Sequence, residues 1–594
     1  MSLTKKDEIF RIKPYIKLYF QEESNTPINE LRLESIPKLS EFYLQYKGKN
    51  LSSSVAPKKS AERLINSISN YENQVLFILG LGNPHLLKDI NEKLRENQIL
   101  IFIDLDPNIL EPLWAFFLED ILLVPGRHLF LGEEKLYLLW NYIESLPIEK
   151  MNGIKFLRNQ PSLDLNPEFY SEIEARIRKI FSSKMSDLLT KFEFDSLWAR
   201  NSYQNLLSYN DTSQISKYKF NTLIDKFNSI PAILVSAGPS LRAACPLIKS
   251  HRDKFFIFAC DTALKVLMKF GIIPDGVMTL DAQTHSYFHF LGEDLNKIPL
   301  FADFVTSPNL LRNFQFRSII FSMTAKFQFN AAGKSIKENT AGGKYINEIL
   351  GEIGDVQSGG SVATSAFDIL RQMNFSTLFL VGQDLAYTGR EIHSTGTHHN
   401  EKWLTLIHRK NSLEKINEVI VRKRETVFVK SNSDREVISD FILGIYKNWF
   451  EESTKQTDQK VYNINEHGAR IENIQSINLK TAEEIFQTLE NHNYPWKEFD
   501  PWKVNQSNSE LNPHSIEKDF QEKIKSIETR IQKMQNDLDN FSIPDILECS
   551  DIISEMIRKT KVYISRNADL PELKKKSLLI ESILNEIKIL KRKL

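Results

Sequence analysis

Cysteine is scarce. Of 594 residues only Cys245, Cys260 and Cys549 are cysteines, and no CxxC spacing occurs. Neither a disulfide framework nor a paired-cysteine metal site is therefore expected, and a reducing, cytoplasmic setting fits best. An excess of one charge is missing too: Lys plus Arg and Asp plus Glu both number 76, for a formal net charge of +0. Nothing in that balance attracts nucleic acid or an anionic membrane globally. Apolar runs are strand-sized, as in Gln74–Gly80, far from the ~20 residues of a membrane-spanning helix. The start, MSLTKKDEIFRIKPYIKLYF, lacks an uninterrupted apolar stretch with a small-residue cleavage site, so no signal peptide is expected. No GxSxG elbow or Cys–His arrangement points to covalent catalysis.

What is present is α/β alternation, which predicts parallel sheets with helices on both faces. VLFILGLGN, a helix through PHLLKDINEKLREN, ILIFIDLDP and a short strand at ILLVPG form a first Rossmann-like unit, taken as residues 1–165. Helical spacing of Phe169, Ile173, Ile177, Ile180 and Leu188 predicts a connector over 166–215. A second series follows over 216–478, with strands at AILVSAG, FFIFAC, GVMTLD, LFADF, SIIFSM and LFLVGQDLA. Its later part is expected to hold a helix beginning near Arg435 and a last strand at Val461–Asn465. Asn493–His514 reads as a linker. Within 479–594, Phe520, Ile524, Ile527, Ile531, Met534, Leu538 and Phe541 alternate steps of four and three, the seam of a helical hairpin or coiled coil. Three helices are expected there, broken near Ile543–Pro544 and Leu570–Pro571.

Four segments could carry chemistry. Leu79–Asn83, with Asp104 and Asp106 ending the next strand, has glycines for close backbone approach but lacks the third glycine of a dinucleotide fingerprint; a tight turn is the preferred reading. Val235–Leu241 (VSAGPSL) is a small-residue turn entering a helix, where free amides and the Ser236 and Ser240 hydroxyls around Gly238 suit a phosphate. Strands ending in Asp261, Asp281 and Gln383–Asp384 accompany it. Ligands of a parallel sheet sit beyond the carboxyl ends of its strands, so these acids point toward one crevice. Ser358–Ala366 brings Gly359, Gly360 and Ser361 to the start of another helix, suited to phosphate or ribose oxygens. Finally, the polar loop Tyr387–Trp403 carries His393, His398 and His399. HxxxxHH is no established metal spacing, so a loop histidine acting as general base is preferred over metal, although a divalent ion stays open.

SAGPSL (236–241), CDTALKVLMKFGIIPDGVMTLD (260–281), SGGSVATSAF (358–367), LVGQDLAYTGREIHSTG (380–396) and NINEHGARIENI (463–474) occur in an order that resembles the motility accessory factor (Maf) family of bacterial flagellin glycosyltransferases, with its MptE-like central domain. The resemblance implies an N-terminal Rossmann-like domain, a sialyltransferase-like central domain and a C-terminal helical bundle. It also implies transfer of a pseudaminic- or legionaminic-type nonulosonic acid from a CMP-activated donor to Ser or Thr of flagellin. Carried onto this sequence, Ser236, Gly238, Ser240, Gly359, Gly360 and Ser361 hold the CMP phosphate and ribose. Asp261, Asp281, Gln383 and Asp384 line the sugar and cytidine crevice, and His393 is the expected base. No further cofactor is implied. A homo-oligomer through the C-terminal helices is left open. Competing readings are an MptE-like pterin pyrophosphokinase, weakened because Ala282 and Gln283 follow Asp281 where paired acids would hold Mg²⁺; a non-enzymatic flagellin-binding chaperone; and S-adenosylmethionine binding by the first unit.

Overall fold

The computed structural model describes residues 4–20, 31–36, 41–68, 74–95, 98–209, 216–329, 335–491, 513–567 and 569–593. Most of the Asn493–His514 linker lies outside them. The chain divides into two compact units: Met1–Glu193 with Phe327–Ile336 and Arg558–Lys575, and Phe194–Lys326 with Lys337–Ile557 and Lys576–Leu594. Among the described residues no helix is long and apolar enough to cross a membrane.

In the first unit four parallel strands lie in the spatial order Arg127–Leu131, Leu100–Asp104, Gln74–Leu79, Gly153–Arg158. Their alternate faces feed two apolar clusters, one around Leu76, Ile78 and Phe102, the other around Phe77, Ile101 and Phe130. ILLVPG is not a strand. Ile121–Leu123 end the helix Glu119–Leu123, and the strand begins at Arg127. An arginine can open this buried strand because its guanidinium is satisfied: Nε donates to Asn91 Oδ1 at 2.6 Å and Nη1 to the Gln98 carbonyl at 2.5 Å.

The helical connector is one helix, Pro167–Leu207. Phe169, Tyr170, Ile173, Ile177 and Phe181 belong to the first unit's core. The last turns serve the second unit: Asn201 Nδ2 donates to the carbonyls of Ala282 and Val305, and Asn205 Nδ2 to those of Phe304 and Thr306, all at 2.8–2.9 Å.

The second unit's main sheet runs, in space, through strands Ser318–Phe329, Leu300–Asp303, Gly276–Thr279, Phe256–Cys260, Pro231–Val235, Thr377–Val381, Lys460–Ile464 and Gln475–Ile477, every neighbouring pair parallel. The expected final strand is thus followed by one more. Nor does a helix begin at Arg435: an antiparallel hairpin pairs Thr426–Lys430 with Glu436–Asp440, and the helix is Phe441–Thr454. Alternation decides this segment, since Val429 and Val437 pack toward the core and Asp440 caps the helix by accepting from Leu443 N–H at 2.8 Å.

Among the described residues beyond the linker the α-helices number four rather than three, Pro513–Asn536, Ile543–Cys549, Arg558–Arg566 and Glu572–Lys593, and Leu479–Thr488 precedes the linker. Pro544 occupies a helix's first turn, where its missing N–H costs nothing. Phe520, Ile524, Ile527, Ile531 and Met534 are buried as the seam pattern requires; Phe520 meets Tyr203 and Tyr345 of the same chain.

Candidate functional site

Strand order in the second unit reverses at Pro231–Val235. Its sequence successors lie on one side and Thr377–Val381 on the other. A ligand crevice is expected beyond the carboxyl ends of those two strands, where the chain places Ser236–Ser240 and Gly382–Asp384.

The two turns are pressed together. Gly238 N–H donates to the Gly382 carbonyl at 2.8 Å, and a Cβ on Gly238 would stand 2.1 Å from Asp384 Oδ2. Gly238 therefore makes room for Asp384. Both donors of Ser240 also go to that oxygen, its hydroxyl at 2.7 Å and its N–H at 3.2 Å. Asp384 thus takes the helix-terminus position expected for a phosphate. Its burial pushes the carboxyl above the ordinary range, against the bonds from Ser240. Ser236 is buried, its hydroxyl 3.8 Å from Cys260 Sγ.

The strand-end acids divide by role. Asp261 is fully engaged, accepting from Thr262 N–H at 2.6 Å and Thr279 Oγ1 at 2.7 Å; burial raises its carboxyl to about 7. It clamps two strand ends. Asp303, which the sequence reading passed over, does the same with Val305 N–H at 2.9 Å and Thr324 N–H at 2.5 Å. Asp281 is half-buried and accepts from Gln283 N–H at 2.8 Å, its pKa raised by burial.

Several buried side-chain atoms near the reversal have no hydrogen-bond partner among the described residues: Gln383 Oε1, Ser394 Oγ and both amide atoms of Asn463; the Asp384 carboxyl beside them meets the side chains of Ser240, Thr388 and Asn465. Asn463 lies in the strand beside Thr377–Val381, opposite Leu380. Buried polar atoms are normally paired, so this concentration marks a place where a ligand or water completes the bonding.

The histidine segment is folded against this place. Ser394 N–H donates to the Ala237 carbonyl at 2.8 Å, and Asn400 Nδ2 holds the carbonyls of His393 and Ser394. His398 and His399 begin a helix, His398–Leu404. Rings of His393 and His399 stack at 5.0 Å, and His289, unnoticed in the sequence, lies 5.4 Å from His399 and 5.9 Å from His398. Burial, then the neighbouring imidazoles, lowers His289 to about 3; burial likewise lowers His393 to about 4. Both are neutral near pH 7. A further group unread in the sequence is Tyr387, whose hydroxyl donates to Asp440 Oδ2 at 2.5 Å while Arg424 Nη1 reaches the same oxygen at 2.9 Å.

Ser358–Ser361 is largely self-satisfied. Gly359 and Ser361 N–H donate to Thr364 Oγ1, Gly360 N–H donates to Ser358 Oγ, and Ser361 caps the helix Val362–Gln372. A Cβ on Gly359 would strike Trp449 at 2.3 Å, so this glycine admits an indole. Thr364, three residues after Ser361, and Trp449 carry that arrangement, and Trp449 could not be paired with the glycines from sequence spacing.

In the first unit, Leu81 N–H donates to Asp104 Oδ2 at 2.7 Å and Gly82 N–H to Ser162 Oγ at 3.2 Å. A Cβ on Gly82 would meet Leu51 at 2.4 Å. The chain's own side chains fill that turn, in line with the tight-turn reading.

Residues 207–390 match the family described as 6-hydroxymethylpterin diphosphokinase MptE-like. The Maf glycosyltransferase of Magnetospirillum magneticum AMB-1 superposes with a TM-score of 0.56 over 98% of this chain and 94% of that one, at 13% identity. The chain has the Maf glycosyltransferase fold with an MptE-like domain. That domain contains the reversal, both glycine turns and the strand-end acids; His393 lies just past it. An uncharacterized protein of Treponema pallidum (strain Nichols) is 36% identical over 124 residues, 20% of this chain and 55% of that protein. The chain thus spans about half the length of that relative.

Proposed function

We propose that the protein is a glycosyltransferase that moves a nonulosonic acid of pseudaminic or legionaminic type from its CMP-activated donor to Ser or Thr hydroxyls of flagellin. The observation that carries this reading is the set of unpartnered buried polar atoms of Gln383, Ser394 and Asn463 beside Asp384 at the sheet's reversal, on a fold shared with a glycosyltransferase. A polar, bond-seeking crevice suits a hydroxyl-rich sugar nucleotide.

Transfer breaks the bond between the sugar's anomeric carbon and the CMP phosphate oxygen, and forms one from that carbon to the acceptor oxygen. Bond-breaking electrons leave with CMP, and the acceptor's proton goes to the His393 imidazole. With its pKa near 4 His393 is unprotonated at neutral pH, ready to accept. It is a weak base, sufficient because the hydroxyl acidifies as its oxygen bonds to carbon. Gln383 and Asp384 orient the donor, and Asp281 borders it at the next strand ends. With Ser240 committed to Asp384, and the amides of Gly359, Gly360 and Ser361 committed to Thr364 and Ser358, the phosphate charge is left to Arg424, the cation that acts on His393.

The test is direct. Purified protein, flagellin and CMP-legionaminic or CMP-pseudaminic acid are combined, and intact flagellin mass and CMP release are followed. A mass gain of whole nonulosonate units with matching CMP release is expected; unchanged mass with no CMP release contradicts the reading. The description of the family matching residues 207–390 favours a second reading, diphosphate transfer from Mg-ATP to a hydroxymethylpterin, recognised by AMP release. Asp384→Ala and His393→Ala separate enzyme from chaperone: glycan lost with flagellin binding kept means enzyme.

A further inference from the structure

The first unit's sheet also reverses, between Gln74–Leu79 and Gly153–Arg158. Its crevice is filled by Ser162 and Leu51 against Gly82. Space opens instead beside the end of the edge strand, in a cavity of about 430 Å³ whose walls include Arg158, Gln160, Tyr170, Ser171, Glu174 and Arg178. Sites for small molecules run from roughly 300 to 1,000 Å³.

We propose that this cavity binds a small oxyanion, a carboxylate or a phosphate ester, between the guanidinium groups of Arg158 and Arg178. Glu174 holds both in place. Arg158 grips its carboxylate with Nε at 2.8 Å and Nη2 at 2.5 Å, and Arg178 with Nε at 2.9 Å and Nη2 at 2.7 Å. Each arginine spends the same edge on Glu174, and neither Nη1 has a hydrogen bond among the described residues. Phe156 lies beneath both, its ring centre 5.9 Å from Arg158 Cζ and 4.7 Å from Arg178 Cζ, which fixes their planes. Two charges against one carboxylate leave the cluster one positive charge in surplus. Burial alone would raise the Glu174 carboxyl; the two arginines outweigh it and hold the group below its ordinary range, so Glu174 stays ionised and keeps both forks oriented. Two pre-set planar forks with a surplus positive charge match the bidentate geometry of carboxylate or phosphate. Ser171 supplies a hydroxyl for the ligand's body. Every residue of this site lies in the first unit, so the proposal stands apart from the donor chemistry assigned to the second.

Calorimetric titration of the full chain with inorganic phosphate and, separately, with glucuronate tests it. One saturable site is expected for at least one probe; phosphate alone identifies a phosphate ligand, glucuronate alone a carboxylate. Arg178→Ala should weaken that binding about tenfold or more, as loss of a charged hydrogen-bond donor does. Arg158→Lys, which keeps the charge and loses the fork, should weaken it as well and serves if Arg178→Ala does not fold. Asp384→Asn should leave it unchanged. Absence of saturable binding by both probes overturns the proposal. So does binding that is equal in the parent and a folded arginine variant, or that disappears with Asp384→Asn.

Discussion

At the scale of residues, single atoms separate structural from chemical roles. Asp261 has both oxygens committed to neighbouring strand ends, whereas Asp384 joins the two turns of the reversal through Oδ2, beside the unpartnered Gln383 Oε1. The raised pKa of Asp261, about 7 against 3.8, has a definite sign. Between those values the folded state holds a proton that the unfolded chain has released, so its contribution is complete below pH 3.8 and is lost as pH rises through 7. Asp261→Asn, which cannot ionise, should flatten the fall in melting temperature between pH 4 and pH 7; an unchanged slope counts against the assignment. For His393 the lowered pKa places the acid limb of the transfer rate near pH 4. A limb near 6.5 would point to another group, and His393→Gln should abolish turnover while leaving donor binding in place. Gly238→Ala puts a methyl 2.1 Å from Asp384 Oδ2, forcing the two turns apart. Overpacking of this kind costs about 1–3 kcal/mol, so a lower melting temperature and loss of CMP binding are expected together.

Elements position these residues through contacts far apart in sequence. Asn201 and Asn205, one turn apart on Pro167–Leu207, hold four carbonyls in the loops after Gly276–Thr279 and Leu300–Asp303. Asn201→Ala strands the Ala282 and Val305 carbonyls at about 1–3 kcal/mol. The variant should melt lower and bind donor more weakly, because Ala282 is the neighbour of Asp281; a melting temperature equal to the parent's would show that the loop does not depend on this bond. Much of this level was legible beforehand. Strand runs at AILVSAG, FFIFAC and LFLVGQDLA declare themselves by β-branched and aromatic residues, and each ends where a small or acidic residue must turn. ILLVPG misled because an apolar helix end and a short strand have the same composition, with Arg127 masking the true strand. The Arg435 region misled because charged hairpin tips resemble helix surface.

For the whole molecule, the reversal of strand order brings together SAGPSL and GQDLA from sites 144 residues apart, as the Ser240–Asp384 bond attests. Their meeting could be inferred from strand-end placement. Why Gly238 is glycine could not, because its reason is a carboxylate delivered from another strand. His289 escaped notice likewise, since only the fold brings it against His398 and His399. The three cysteines are buried and unpaired, and burial pushes Cys245 and Cys260 up to about 12. Reductant should not change the melting temperature, and native protein should resist alkylation; rapid labelling would contradict this packing. The function proposed above depends on a CMP-sugar crevice at Ser236–Ser240 and Gln383–Asp384. Calorimetric titration with CMP and with AMP, on the parent and on Asp384→Asn, is the decisive experiment. Saturable CMP binding, weaker AMP binding and loss of the CMP signal in the variant are the predicted result; tighter AMP binding, or CMP binding indifferent to Asp384→Asn, would contradict it.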